Sequence, residues 1–144
     1  MPMGQTVGAT MKAIDRNVRI LIADDQPTIR TIVRSTLENV PYFEVCGEAV
    51  DGAKAIEEAK KLKPDVVVLN ITMPILNGFE AAREIKALLP ETAIVILSSH
   101  ADQRFVEAAK KIGVRSYVSK SKVGDALVKS IEAAVNGEDF VLIE

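Results

Sequence analysis

Two carboxylates stand side by side at Asp24-Asp25, directly after the apolar run Val18-Arg-Ile-Leu-Ile-Ala23. Adjacent acids at the end of a strand repel one another. A hard divalent cation such as Mg²⁺, which takes oxygen ligands from one or two carboxylates plus water, offsets that repulsion. The structural alternative is that one acid caps the helix opened by Pro27 while the other is solvated. Polar residues also stop three later apolar runs: Asn70 after Val66-Val-Val-Leu69, Ser98-Ser99 after Ala93-Ile-Val-Ile-Leu97, and Lys120 just beyond Ser116-Tyr-Val118. The Ser98 hydroxyl suits either a phosphoryl oxygen or an ordinary turn. Lys120 is either a point charge for an anion or a solvated surface lysine. His100 has no second histidine to chelate with and reads as a solvated loop residue.

The elements that must position these residues alternate strictly. Val18–Ala23 is a strand buried on both faces, because β-branched residues dominate it and polar alternation is weak. Pro27 and Thr28 open a helix with an apolar stripe at Ile29, Ile32, Val33 and Leu37. Phe43–Ala49 is the second strand, and Asp51 then caps a helix burying Ala53, Ile56, Ala59 and Leu62. Val66–Leu69 is the most central-looking strand. Residues 78–89 are helical, with Phe79, Ala82, Ile85 and Leu89 on one side and Pro90 as the stop. Residues 93–97 form strand four. A helix capped by Asp102 runs to Ile112, with Gly113 placed for a left-handed turn. Residues 116–118 form strand five, and a last helix from about 123 to 135 carries Val123, Leu127, Ile131 and Val135.

Five strand–helix units of this kind make an α/β fold: an open, doubly wound parallel sheet joined by right-handed crossovers. In such sheets ligands bind outside the carboxyl ends of the strands, where Asp24, Asp25, Asn70, Ser98 and Lys120 all fall. One domain from 18 to 138 accounts for nearly everything. Residues 1–17 read as a flexible leader or an expression remnant. Residues 139–144 read as a tail or the start of a linker, although Phe140-Val-Leu-Ile143 is apolar enough to pack on the domain or touch a partner.

Bulk composition removes several classes. A chain of 144 residues buries a core without staples. A net charge of −2 gives no electrostatic case for holding nucleic acid or an anionic membrane surface. The single cysteine, Cys46, excludes an internal disulfide and reads as a reduced core thiol. No apolar run approaches a membrane span or a secretory signal, so a cytoplasmic location is the expectation.

The joint pattern is more specific than its parts. Asp24-Asp25, the turn Leu69-Asn-Ile-Thr-Met-Pro74 followed by Asn77-Gly78, Ser98, and Tyr117-Val-Ser-Lys120 together resemble the receiver domain of bacterial two-component response regulators. The resemblance covers residues 18–138. It implies a flavodoxin-like three-layer (βα)5 fold with a five-stranded sheet in the order 2-1-3-4-5. It also implies that Asp24 and Asp25 hold Mg²⁺, with the Thr72 carbonyl and the residue at position 70 as further ligands. Ser98 and Lys120 would contact the phosphoryl group, and Tyr117 would act as a rotamer switch coupled to Ser98. The implied partners are a sensor histidine kinase, a second copy through the face formed by helix four, strand five and helix five, and a DNA-binding output domain in a longer parent. Its own nucleic-acid affinity is expected to be negligible.

Position 70 departs from the family. An aspartate there is the nucleophile and phosphoacceptor, and this chain has Asn70. A neutral amide oxygen is a far poorer nucleophile than a carboxylate. It also withdraws one negative charge from the metal pocket. The expectation is no aspartyl phosphate, weakened Mg²⁺ binding, no catalytic activity and an equilibrium resting in the inactive state. Two origins are open: a substitution that locks an ordinary receiver, or a natural receiver-like domain that signals without phosphorylation. Rival functions are disfavoured by the same residues. Phosphatases using an aspartyl nucleophile need Asp-x-Asp rather than adjacent acids, and Ala23-Asp-Asp-Gln-Pro27 is unlike a phosphate loop for flavin or nucleotide.

Overall fold

The computed structural model describes residues 17–100 and 102–144. Except for Asn17, the expected leader lies outside the described residues. Strands β1 (Val18–Ala23), β2 (Phe43–Ala49), β3 (Val66–Leu69), β4 (Ala93–Ser98), β5 (Ser116–Ser119) and β6 (Val141–Ile143) form one sheet in the order β2-β1-β3-β4-β5-β6. Every neighbouring pair is parallel. The helices are α1 (Pro27–Glu38), α2 (Gly52–Leu62), α3 (Gly78–Leu88), α4 (Gln103–Ile112) and α5 (Asp125–Val135). Among the described residues no helix is long and apolar enough to cross a membrane.

Alternation along the buried strands divides the core in two. Leu21, Val67, Leu69, Ile94, Ile96 and Tyr117 point to the layer of α2, α3 and α4. Ile20, Ile22, Val66, Val68, Val95 and Val118 point to the layer of α1 and α5. Because each central strand is covered on both faces, its sequence is continuously apolar rather than alternating. Helix stripes follow the same logic with shifts at their edges. In α1 Val33 and Leu37 are buried while Ile32 is 45% exposed, and in α2 Ala55 takes the buried place expected of Ala53. Cys46 is half-buried, and burial pushes its thiol pKa up.

Among the described residues the sheet has six strands, not the expected five. The segment Val141–Ile143, expected as a tail or linker start that is apolar enough to pack on the domain, does pack there, pairing with β5 through Ser116, Tyr117 and Val118. Its apolar neighbours explain why: Phe140 packs on the α2–α4 side and Ile143 on the α1–α5 side, so the segment straddles the sheet edge. The last helix also starts later than expected. Residues Lys120–Lys122 form a short 3-10 turn, and Gly124, at φ 140°, precedes α5.

Local signals set the ends of the helices. Asp51 accepts from Lys54 N at 2.7 Å, and Asp102 accepts from Arg104 N at 2.7 Å. Asn77 and Glu80 form a reciprocal capping box at the start of α3. Gly113 ends α4 at φ 99°, where a side chain would be strained.

Candidate functional site

The polar residues converge at the carboxyl edge of the sheet. β1 ends at Ala23, so Asp24 leaves the ladder buried while Asp25 turns out to solvent. The Asp24 amide still bonds Ala49 O at 3.0 Å, which keeps the chain in register through the turn. Its Oδ1 accepts from Gln26 N at 2.8 Å. That bond settles the capping alternative: Gln26, not either acid, is the N-cap of α1 and makes no side-chain cap bond. β3 lies between β1 and β4, and Asn70 continues its ladder by donating N–H to Ala23 O at 2.9 Å. Asn70 is thereby buried beside the acids.

The turn after β3 is held by glycine. A Cβ on Gly78 would lie 2.1 Å from Asn70 O, so only glycine lets α3 begin against the backbone of the site. Gly78 N donates to Ile71 O at 2.6 Å, closing the loop that brings the Thr72 carbonyl inward. Within that loop Ile75 sits at φ 70° and is 80% exposed, an uncommon conformation for a β-branched residue.

The Asn70 amide nitrogen donates to Thr72 O at 2.8 Å and approaches Asp25 Oδ1 at 3.2 Å. Lys120 Nζ stands 3.0 Å from Asp24 Oδ2 and 3.5 Å from Gln26 Oε1. Asp24 Oδ2 is enclosed and accepts no hydrogen bond of ordinary geometry, so the nearby ammonium meets it as an ion pair rather than along a lone pair. A cleft of about 320 Å³ opens over these groups, with Asp25, Asn70, Thr72, His100 and Lys120 in its wall. An enclosed, unbonded carboxylate oxygen is what a cation ligand would look like. The remaining donor set fits such an ion poorly, because two of the oxygens it would use, Asp25 Oδ1 and Thr72 O, are already engaged by the Asn70 amide. Among the described residues no group of three or more His, Cys, Asp or Glu gathers to hold a metal.

Ser98 and Tyr117 sit one layer away. Ser98 ends β4 fully buried, and its Oγ accepts from His100 N at 3.0 Å. Tyr117 is buried, and its hydroxyl donates to His100 O at 2.5 Å. Burial raises the Tyr117 pKa, with the neighbouring Ser98 hydroxyl opposing the shift. His100 is an exposed loop residue, as expected. Its backbone links Ser98 to Tyr117, and its ring packs against Phe105 at 5.9 Å. Backbone groups carry both links, so residue type gave no signal for them. Ser99, the second of the two serines after the fourth apolar run, reaches the cleft where Ser98 does not, and Gln26 reaches it without having been singled out.

The arrangement matches known proteins across nearly its whole length. A profile of the response regulator receiver domain matches residues 20–132. The transcriptional regulatory protein DegU of Brevibacillus brevis is 32% identical over 88% of this chain and 54% of its own length. The chemotaxis protein CheY of Thermotoga maritima is 38% identical over 77% of this chain and 95% of its own length. The receiver domain of the response regulator NarL from Mycobacterium tuberculosis superposes with a TM-score of 0.81 at 31% identity, covering 85% of this chain and 99% of that one. The chain spans about half the length of the transcriptional relatives it matches. With its parallel sheet, carboxyl-edge acids and matched residues, the chain belongs to the response regulator receiver domain family.

Proposed function

We propose that this chain is a receiver module of two-component signalling in which Asn70 occupies the phosphoacceptor position, so that the chain takes no phosphoryl group there. The observation that carries this reading is the place of Asn70. It ends the central strand, buried, with Asp24, Asp25, the Thr72 carbonyl and Lys120 around it. Phosphoryl transfer to such a pocket needs an anionic oxygen in line with phosphorus, and the neutral amide supplies none. In a parent with aspartate at this position, a sensor histidine kinase is the donor and Lys120 neutralises the arriving charge. Ser98 and Tyr117, joined through the His100 backbone, then serve as the switch. The Asn70 chain has no enzymatic step of its own, binds Mg²⁺ weakly and acts in the cytoplasm.

Partners follow from the relatives. DegU is a transcriptional regulator about twice as long as the match, which favours a DNA-binding output domain beside this one in a longer parent. CheY is matched over 95% of its length, which supports a second reading: a receiver that works by protein contact alone. A homodimer through α4, β5 and α5 would have to include β6, which already lies along β5. The test is incubation with acetyl phosphate and MgCl₂, read by intact mass, for this chain beside Asn70→Asp. The expected result is one added phosphoryl group on the variant only. Uptake by the unsubstituted chain, or by neither protein, would overturn the proposal.

A further inference from the structure

We infer that the Asn70 amide is the built-in occupant of this pocket's cation position: its NH₂ group, and not only the missing carboxylate charge, keeps a divalent ion out. The inference rests on the reading of position 70 given above and extends it to the metal chemistry of the same site.

Both amide hydrogens have acceptors, Thr72 O at 2.8 Å and Asp25 Oδ1 at 3.2 Å. The orientation of the amide is fixed by its neighbours. A carbonyl and a carboxylate only accept, so turning the group over would set its oxygen against two oxygens with no proton between them. Lys120 covers the other acid, at 3.0 Å from Asp24 Oδ2, and both of those side chains are largely buried. The two acids thus face an ammonium on one side and an amide donor on the other. Mg²⁺ demands near-octahedral oxygen ligands at about 2.0–2.1 Å. To reach Asp25 Oδ1 and Thr72 O together it must enter the space their shared donor fills. It must also break both of that donor's bonds.

This differs from charge loss alone in a way that can be measured. If only charge matters, Asn70→Ala binds Mg²⁺ no better than this chain, since neither has the third carboxylate. If the amide is the obstacle, Asn70→Ala binds better, because the two oxygens are released to the ion. The experiment is thermal unfolding of this chain, Asn70→Ala and Asn70→Asp across an MgCl₂ series at constant ionic strength. Asn70→Ser is a second small variant in case the alanine protein folds poorly. Apparent affinity is read from the rise in Tm. The expected order is Asn70→Asp tightest, Asn70→Ala or Asn70→Ser next, and this chain last, with a gap of about tenfold or more between the last two. Small variants that bind no better than this chain would overturn the inference, as would a response of this chain equal to that of Asn70→Asp. Phosphoryl uptake by Asn70→Asp is scored separately. Uptake with the wrong Mg²⁺ order sinks the inference alone, and the right order without uptake sinks the receiver-site reading alone.

Discussion

Replacing Gly78 by alanine sets two effects of known sign against each other. Gly78 is the first residue of α3, and in a helix alanine is intrinsically better than glycine by about 1 kcal/mol. The added Cβ, however, would fall 2.1 Å from Asn70 O and 2.7 Å from Ile71 Cα, both backbone atoms. The Asn70 side of this contact cannot retreat, because its N–H is bonded to Ala23 O and β3 is paired on both sides. α3 must move instead, stretching the Gly78 N to Ile71 O bond of 2.6 Å. Losing that bond costs about 1 kcal/mol. Overpacking against fixed backbone costs about 1–3 kcal/mol more. Subtracting the propensity gain leaves a net destabilisation of about 2 kcal/mol, or a Tm lower by roughly 5–10 °C. Thermal and urea unfolding of Gly78→Ala beside Ala87→Gly, an exposed site in the same helix, separates the two effects. Ala87→Gly should lose only the propensity difference of about 1 kcal/mol. A neutral or stabilised Gly78→Ala would refute the close approach and with it the account of how Asn70 is held.

Three further outcomes are expected. Ile75→Gly should raise Tm by about 2–4 °C, since glycine relieves the left-handed strain at an exposed residue whose burial contributes little; an unchanged or lower Tm would count against strain there. Tyr117→Phe should keep the fold but cost about 1 kcal/mol and speed amide exchange at His100, because the bond to the His100 carbonyl is lost; unaltered exchange would remove the link between Tyr117 and Ser98. Burial opposes ionisation of Glu48, but hydrogen bonds from Arg34 and Arg30 outweigh it and hold its pKa low. A depressed carboxyl pKa contributes stability that is full above the unfolded value near 4.3 and is lost as pH falls through the folded value. The Tm gap between this chain and Glu48→Gln should therefore be widest near neutrality and close in acid; a gap that grows on acidification would reverse the assignment.

Periodicity made the strands and their helices legible because a sheet covered on both faces leaves unbroken apolar runs at β1, β3 and β4. The same rule failed at β6. A three-residue edge strand has too few positions to show a period, and Val141–Ile143 joins the sheet through contacts with Phe140 and Ile143 from opposite faces. Carboxyl-edge residues were legible as a set because each follows the end of a strand, and the structure brings Asp24, Asp25, Asn70, Thr72 and Lys120 around one cleft. Ser98 was placed correctly in the chain, yet its hydroxyl holds the His100 amide rather than lining the cleft. His100 is the exposed loop residue expected, and only its two links escaped the sequence, for a physical reason: they use a backbone N–H and a backbone C=O, which every residue but proline possesses.

Position 70 shows how little shape has to change for a site to change character. Aspartate and asparagine differ by one oxygen exchanged for NH₂, so β3, the Gly78 contact and the capping box of α3 are all compatible with either. What the exchange alters is polarity. A carboxylate at that point would be a third acceptor facing Asp25 Oδ1 and Thr72 O, and a proton or a cation would be needed to reconcile them. The amide is a donor, and it reconciles them itself at 2.8 and 3.2 Å. Lys120 does the same for Asp24 from the opposite side. On the reading proposed above, a pocket whose acid groups face its own donors has less need of an ion and no nucleophile for a phosphoryl group. Both consequences come from the same nitrogen, which is why the metal response and the phosphoryl response of this domain can be separated by Asn70→Ala: that variant restores room for the ion without restoring the nucleophile.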